Sequence, residues 1–266
     1  MNERPIGIFD SGIGGLTVAR AIYDRLPHES TIYFGDTARV PYGPKSPETV
    51  WRYSLEILHW LLGQGVKAVV IACNTSTAHA LDALREAAPV PVIGVIEPGA
   101  RAAVNAVAQG AIGVIGTAGT IHSNAYSRAI HAIAPDIRVE QQACPLFVPL
   151  VEEGWFAHPA AELIAEEYLR PIRDASVQAL VLGCTHYPLL KSLLRRVMGT
   201  EVALIDSGEQ TAITLERALV DGGLEAPRGG TVSHRFAVSD DEPRFRQVGS
   251  RFIGERLSGA EVVSLT

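Results

Sequence analysis

Two of the three cysteines in this 266-residue chain lie in similar settings. Cys73 follows the apolar residues 69–72 and Cys184 follows the apolar residues 180–183, and a polar, hydroxyl-rich turn comes directly after each thiol. Apolar runs of this length bounded by polar turns are typical of buried strands, and open α/β sheets bind ligands at the carboxyl ends of such strands. Two facing thiols could remove a proton from one side of a carbon and return one to the other side. The spacing therefore predicts a stereoinversion that needs no cofactor.

A cysteine at a strand end can also pack simply as a small apolar side chain. The repeated setting favours chemistry, and so do the residues that follow Cys73. Asn74 and residues 75–77 offer an amide, hydroxyl groups and backbone N–H groups, which together suit a carboxylate. An unperturbed thiol pKa of about 8.5 needs only a modest shift to supply thiolate at neutral pH. We therefore expect the two thiols to be the acid and the base.

Other acid and base groups are placed to assist the thiols. Asp10 ends the first predicted strand and is assigned to Cys73, although an aspartate before Ser-Gly also suits a helix cap or a turn. His186 comes two positions after the second thiol, so in an extended segment both side chains would point to the same side. A packing or capping role is its alternative. Glu152 and Glu153 follow an apolar segment, and one of them could reach the second thiol.

A loop of residues 37–44 could approach a ligand through its backbone. Pro41 and Pro44 make this loop rigid, and Gly43 allows backbone N–H groups to come close. An ordinary surface loop is the alternative interpretation. The sequence thus offers a second segment, besides residues 74–77, that could contact a small polar ligand.

The elements that must position these groups repeat along the chain. A strand, a turn and a helix begin near residue 5 and again near residue 111, which puts Ser11 and Thr117 in comparable places. The two thiols are separated by a similar distance in sequence, as are the apolar residues 90–93 and 202–205. Three pairs of similar segments occur in the same order, with the members of each pair about 110 positions apart. This repeat indicates two structurally related halves.

Alternation of strands and helices predicts mainly parallel sheets covered by helices, an α/β fold. We expect two similar α/β domains related by pseudo-symmetry, with the active site in the cleft between them. The first should comprise residues 1–97 together with residues 208–266, and the second residues 98–207. The tail should contain a helix at residues 210–219, return to the first domain and end in an edge strand near residues 260–265.

Composition narrows the function. The net charge of −6 and the absence of a basic block argue against nucleic acid as the main ligand. Three lysines leave few candidates for a pyridoxal phosphate Schiff base, and no CxxC pair or HExxH helix completes a zinc site. Thr17 stands where a dinucleotide loop needs glycine, so we expect no nucleotide site. The sequence thus predicts no cofactor and no metal.

The expected setting is a reducing compartment. An odd number of cysteines argues against a disulfide framework, and no signal-like segment opens the chain. Mean hydropathy is +0.16 and no apolar run approaches the roughly 18 residues of a membrane helix, so we expect no membrane association.

Several segments together resemble the glutamate racemases, a family of cofactor-independent amino-acid racemases. They are residues 8–16, 33–36, 41–43, 72–75, 116–117, 149–152 and 183–188. The resemblance implies two α/β domains enclosing glutamate, with Cys73 and Cys184 on opposite faces of its Cα. It implies that Asp10 assists Cys73, and that His186 and Glu152 assist Cys184. Implied substrate contacts are Asp10, Ser11, Pro41, Tyr42, Gly43, Asn74, Thr75, Thr117, Thr185 and His186.

The resemblance also implies a biological setting. Such proteins are often homodimers in the bacterial cytoplasm that supply D-glutamate for peptidoglycan synthesis. The similar aspartate racemases usually carry an acid after the second Cys-Thr pair, where this chain has His186, which favours glutamate. An aspartate racemase would share the mechanism and differ in pocket size. A two-domain amino-acid binding protein, the alternative from another class, would have no use for paired thiols.

Overall fold

Two parallel sheets form the centre of the computed structural model, which describes residues 2–107 and 109–265. The strands are β1 (Ile6–Asp10), β2 (Thr31–Gly35), β3 (Ala68–Ile71), β4 (Val92–Gly94), β5 (Ala111–Gly116), β6 (Arg138–Ala143), β7 (Ala179–Gly183), β8 (Ala203–Asp206), β9 (His234–Val238) and β10 (Glu261–Val262). The α-helices are α1 (Leu16–Arg25), α2 (Pro47–Gly63), α3 (Asn74–Ala87), α4 (Ile96–Asn105), α5 (Ala118–His122), α6 (Ala125–Ile133), α7 (Phe147–Glu152), α8 (Pro159–Asp174), α9 (Lys191–Met198), α10 (Ser207–Asp221) and α11 (Glu242–Ile253). Short 3-10 helices occupy Tyr187–Leu190 and Gly254–Arg256.

Burial explains why the central strands form. Strands β1, β2, β3, β5 and β7 are buried along their whole length, as expected for near-continuous apolar strands covered by helices on both faces. By contrast β6, which is rich in polar residues, is only partly buried and lies at an edge of its sheet. The α/β fold with parallel sheets that the sequence predicts is confirmed.

The two sheets share one strand order. The first sheet runs β10-β9-β2-β1-β3-β4 and the second runs β6-β5-β7-β8, with every pair parallel among the described strands. Strands β1 to β4 therefore correspond to β5 to β8. In each sheet the second strand lies on one side of the first strand, and the third and fourth strands lie on its other side. The chain therefore switches sides between β1 and β3 and between β5 and β7. Such switch points are where open α/β sheets bind ligands.

The tail returns to the first sheet. Strands β9 and β10 extend that sheet beyond β2, with β10 at its edge. The helix expected at residues 210–219 is α10, which begins three residues earlier because Asp206 caps it by accepting a hydrogen bond from Gly208 N at 2.9 Å. The proposed domain boundaries stay a prediction; residue 97 lies inside α4 and residue 208 in the first turn of α10.

Apolar packing joins the two halves. The largest buried cluster contains Ile8 and Tyr33 from the first sheet together with Leu182 and Phe147 from the second half, and the tail contributes Phe245 to it. A core that is continuous across both halves fixes the orientation of the two sheet ends. Within the described residues, no helix has the length and apolar character needed to span a membrane.

Candidate active site

The two thiols occupy corresponding places at the two switch points. Cys73 lies between β3 and α3, and Cys184 lies directly after β7. Asp10 ends β1 beside the first thiol, and Thr117 follows β5 beside the second. Both cysteines are free and buried, with exposed fractions of 5% and 6%. The repeat seen in the sequence is thus a repeat of position at the carboxyl ends of two sheets.

Hydrogen bonds link the carboxyl ends of the two sheets. The Thr17 hydroxyl donates to the backbone oxygen of Thr185 at 2.9 Å, which joins α1 to the turn after Cys184. The hydroxyl oxygens of Thr75 and Thr117 lie 2.9 Å apart, which joins the start of α3 to the end of β5. These contacts place the polar turns of the two halves against each other, as a shared site requires.

Cys73 is held as a neutral thiol by its surroundings. Its Sγ caps α3 by accepting from Ser76 N at 3.4 Å. Burial, followed by the neighbouring Asp10 carboxylate, raises the pKa of Cys73 to about 11. Burial also raises the pKa of Asp10, an effect that His186 partly opposes. A cation placed between Asp10 and Cys73 would favour the ionised form of both groups.

The Asp10 carboxyl is only half satisfied. Its Oδ2 accepts from Gly12 N at 2.9 Å, whereas its buried Oδ1 has no hydrogen-bond partner in the described part of the chain. A buried acceptor without a partner is costly, so it points to a donor that the bound ligand would supply. Ser11, the next residue, is partly buried and contributes a hydrogen bond that lowers the pKa of Cys73.

Cys184 has a different partner. Its Sγ lies 3.9 Å from His186 Nδ1, and His186 Nε2 lies 3.1 Å from Glu152 Oε1. Residues 184–186 form a turn, with His186 at φ −78° and ψ −30°, so the contact arises from the turn and the expected extended segment is wrong. Glu153 is exposed, so of the two acids Glu152 alone is placed against His186.

Electrostatics favour a charged histidine at this thiol. Burial lowers the pKa of His186, but the contacts with Cys184 and Glu152 outweigh burial and raise it to about 10. Burial would raise the pKa of Glu152, yet His186 and Arg244 together lower it. Both shifts favour an ion pair between the His186 ring and the Glu152 carboxylate. The two thiols therefore sit in unlike surroundings, Cys73 beside a carboxyl group and Cys184 beside a histidine.

The glycines after β1 allow the two halves to approach. A Cβ at Gly14 would lie 2.3 Å from both His186 Nδ1 and Thr185 Oγ1, and a Cβ at Gly15 would lie 2.4 Å from Asp10 Cβ. The absence of a side chain at Gly14 therefore allows the turn after Cys184 to pack against the turn after β1. This close packing gives Thr185 and His186 their places at the site.

The loop of residues 37–44 is anchored from two sides. Tyr42 is buried against Cys73, and its hydroxyl donates to Asp36, which is itself buried. The Gly43 carbonyl accepts from Gly119 N at 2.9 Å, which ties the loop to the second half. The loop thus lies at the surface, with Val40, Pro41 and Pro44 exposed, but is anchored at Tyr42 and Gly43.

A cavity of about 420 Å³ lies between this loop and the second half. Its lining, mostly apolar, is Val40, Pro41, Gly43, Pro44, Thr117, Ala118, Pro145, Val148, Pro149 and Glu152. Neither Cys73 nor Cys184 is among its lining residues, whereas the predicted contact residues Pro41, Gly43 and Thr117 are. No cluster of three or more His, Cys, Asp or Glu side chains suited to a metal ion occurs within residues 2–107 and 109–265.

Tyr126 is a functional candidate that the sequence interpretation missed. It is fully buried on α6, and its hydroxyl donates to Asn74 Oδ1 at 2.7 Å. The buried Asn74 Nδ2 has no partner among the described residues. The tyrosine thus fixes the amide so that an N–H donor remains for a ligand. A buried tyrosine at apolar helical spacing gave no local sign of this role.

Two buried free thiols lie at the carboxyl ends of two similar sheets, one beside the Asp10 carboxyl group and one beside the His186 ring. This arrangement suits an amino-acid isomerase. Residues 16–214 match the Asp/Glu/hydantoin racemase family. The glutamate racemase of Geobacter metallireducens is 53% identical over 265 residues, covering 100% of this chain and 98% of its own length. The chain belongs to this family, among its glutamate racemases.

Solved structures agree over the whole chain. A glutamate racemase isoform from Bacillus anthracis has a TM-score of 0.94 at 40% identity and covers 100% of this chain and 98% of its own. The glutamate racemase from Francisella tularensis, solved in complex with D-glutamate, has a TM-score of 0.93 at 42% identity and covers 100% and 99%. The protein is therefore an enzyme, and the binding-protein alternative is wrong.

Proposed function

We propose that the protein interconverts L- and D-glutamate by a two-base mechanism in which Cys73 and Cys184 exchange the roles of base and acid. The observation that carries this proposal is the placement of two buried free thiols at corresponding switch points of two facing sheets. The substrate assignment is supported by the Francisella tularensis relative, whose structure holds D-glutamate.

The unpaired polar atoms of the site suit an amino acid. Asp10 Oδ1 is a buried acceptor that the substrate ammonium group would satisfy, and Asn74 Nδ2 is a buried donor for a carboxylate. The first backbone N–H groups of α3 also favour an anion, because a helix start carries unpaired donors and a positive dipole end. The remaining proposed contacts come from three threonine hydroxyl groups and from the facing turns. They are Thr75, Thr117 and Thr185, together with Ser11, Pro41, Tyr42 and Gly43.

In each turnover one thiolate takes the proton from Cα and the opposite thiol gives a proton to the other face. The electron pair of the broken C–H bond remains on Cα in a short-lived carbanion, which one proton-transfer barrier precedes and a second follows, and then forms the new C–H bond. The substrate ammonium beside Asp10 offsets the burial that keeps Cys73 neutral. His186, charged and held by Glu152, would stabilise the thiolate of Cys184 and return to the same state after each proton transfer.

Single substitutions of the cysteines test this mechanism. Cys73→Ala and Cys184→Ala should each abolish racemisation, because either change removes one of the two proton-transfer groups. Cys144→Ala is the matched control, since this third buried cysteine lies outside the proposed site. Its thiol donates to the Gln142 backbone oxygen at 3.6 Å, and its backbone oxygen accepts from the Tyr187 hydroxyl. Optical rotation in both directions, with thermal unfolding as a check of the fold, gives the readout. Substantial turnover by either active-site variant contradicts the proposal.

We further propose domains of residues 1–97 with 208–266 and of residues 98–207, a homodimer, and a cytoplasmic role in supplying D-glutamate for peptidoglycan. Three free cysteines support a reducing compartment. Light scattering tests the dimer. Rescue of a bacterium that requires added D-glutamate tests the role, and a Cys184→Ala gene that rescues equally well would contradict it.

A further inference from the structure

Helix α11, in the tail, contacts the residues that surround Cys184. Arg244 Nη2 donates to Glu152 Oε2 at 3.1 Å, while the other oxygen of the same carboxylate accepts from His186 Nε2 at 3.1 Å. His186 Nδ1 in turn faces Cys184 Sγ at 3.9 Å. A continuous set of contacts therefore leads from a residue of the tail to the second thiol.

A second arginine on α11 holds the backbone at the same place. Arg251 donates to the Glu152 backbone oxygen. Arg251 lies seven positions after Arg244, almost two full helical turns, so both side chains project from one face of the helix. Phe252 adds an edge-to-face contact with the His186 ring at a centroid distance of 5.5 Å. Helix α11 thus contacts the side chain of Glu152, its backbone and the histidine it orients.

Helix stability does not explain the position of Arg244. It is the third residue of α11, where the positive end of the helix dipole disfavours a cation. Its side chain is 50% exposed, and an ion pair of that exposure contributes little to the free energy of unfolding. The position is explained if the guanidinium serves to restrict the Glu152 carboxylate.

We propose that Arg244 is a positioning residue for the Cys184 half of the reaction, which rests on the two-thiol mechanism proposed above. The guanidinium holds one carboxylate oxygen of Glu152, so the other oxygen stays directed at His186 Nε2. The imidazole then keeps its Nδ1 towards the sulfur atom. Without Arg244 the carboxylate keeps only its contact with His186, so it rotates more readily and His186 presents Nδ1 to Cys184 for a smaller fraction of the time.

The variants for the test are Arg244→Met, Arg244→Lys and Arg246→Met. Arg246 is the matched control because it lies on the same helix, is 60% exposed and has only a distant contact, 3.9 Å, with Glu242. We expect Arg244→Met to lower kcat/KM on the order of tenfold, since small displacements of catalytic groups cost up to about a hundredfold and the Arg251 contact remains. Arg244→Lys should recover part of the loss, and Arg246→Met should match the wild type.

Isotope effects separate positioning from general damage. The equilibrium constant of a racemase is one, so kcat/KM must fall equally in both directions. The primary isotope effect with α-deuterated substrate should rise for the enantiomer deprotonated by Cys184 and fall for the other, because only the Cys184 barrier grows. Glu152→Gln should shift the isotope effects in the same sense, and Asp10→Asn in the opposite sense.

The two proposals fail in different ways. If Arg244→Met retains wild-type kinetics, or loses activity with unchanged isotope effects, the positioning role is overturned while an inactive Cys184→Ala variant keeps the two-thiol mechanism. If Cys184→Ala remains active, the mechanism itself fails, whatever Arg244→Met does.

Discussion

Tyr126→Phe tests how the site holds a carboxylate. The substitution removes one hydroxyl group that donates to Asn74 Oδ1 at 2.7 Å and leaves the ring that fills the core. Both residues are buried, with exposed fractions of 0% for Tyr126 and 3% for Asn74, so water does not replace the lost donor. The amide then either keeps an unpaired oxygen or rotates to find another partner.

The size of the effect follows from burial. Leaving a buried polar atom without its partner costs about 1 to 3 kcal/mol. If the amide rotates to avoid this cost, the bound carboxylate loses its donor instead, and the same free energy corresponds to a change of about 5- to 150-fold in binding. If the amide rotates, Asn74 presents an oxygen where the substrate carboxylate needs a donor. We expect the loss mainly in KM, because this contact is made equally in the bound substrate and in the transition state.

Steady-state kinetics with both enantiomers measure this effect. Tyr23→Phe is the matched control, since Tyr23 is also buried and hydrogen-bonded, to the Thr31 hydroxyl at 3.2 Å, but lies outside the proposed site. We expect Tyr126→Phe to raise KM at least about fivefold and Tyr23→Phe to leave it unchanged. Equal KM values for the wild type and Tyr126→Phe would refute the proposed role of Asn74.

Two further predictions concern the Cys184 side of the site. Glu152→Gln should move the high-pH loss of kcat/KM to lower pH. Glu152 helps to raise the pKa of His186 to about 10, so without its charge the imidazolium loses its proton at lower pH. An unchanged pH profile would contradict this coupling. Gly14→Ala should lower kcat/KM by about a hundredfold and destabilise the fold by about 1 to 3 kcal/mol, because the new Cβ would lie 2.3 Å from His186 Nδ1. Gly63→Ala, where nothing lies within 4 Å of the new Cβ, is its control, and equal melting temperatures and rates for the two variants would contradict the packing argument.

The sequence predicted what depends on local pattern and repetition. Apolar runs ending in polar turns located the strand ends that carry Cys73 and Cys184, and their repeated order predicted two related sheets. Helix α11 was missed, although Asp241 followed by Glu242 and Pro243 is a typical helix start, with Asp241 accepting from Arg244 N at 3.1 Å. The expected edge strand is only the two residues Glu261–Val262.

The rest of the site depends on contacts between distant parts of the chain. Arg244 meets Glu152 across 92 positions, and Tyr126 meets Asn74 across 52. Neither contact follows from a local pattern, because each is fixed by how the tail and the second half pack against the first sheet. Gly12, Gly14 and Gly15 are evident in the sequence. Only the folded chain shows that Gly14 must lack a side chain, because a Cβ there would lie 2.3 Å from His186 Nδ1.

If two different thiols serve the two faces of Cα, the hydrogen added to the product comes from solvent, which an exchange experiment measures. L-Glutamate would be converted in heavy water and followed by NMR at low conversion, with D-glutamate converted in a parallel reaction. With two thiols, deuterium appears at Cα of the newly formed enantiomer, while the unreacted substrate keeps its hydrogen. A product that retains the hydrogen of the substrate would mean that one group carries the same proton between both faces, and would exclude the two-thiol mechanism.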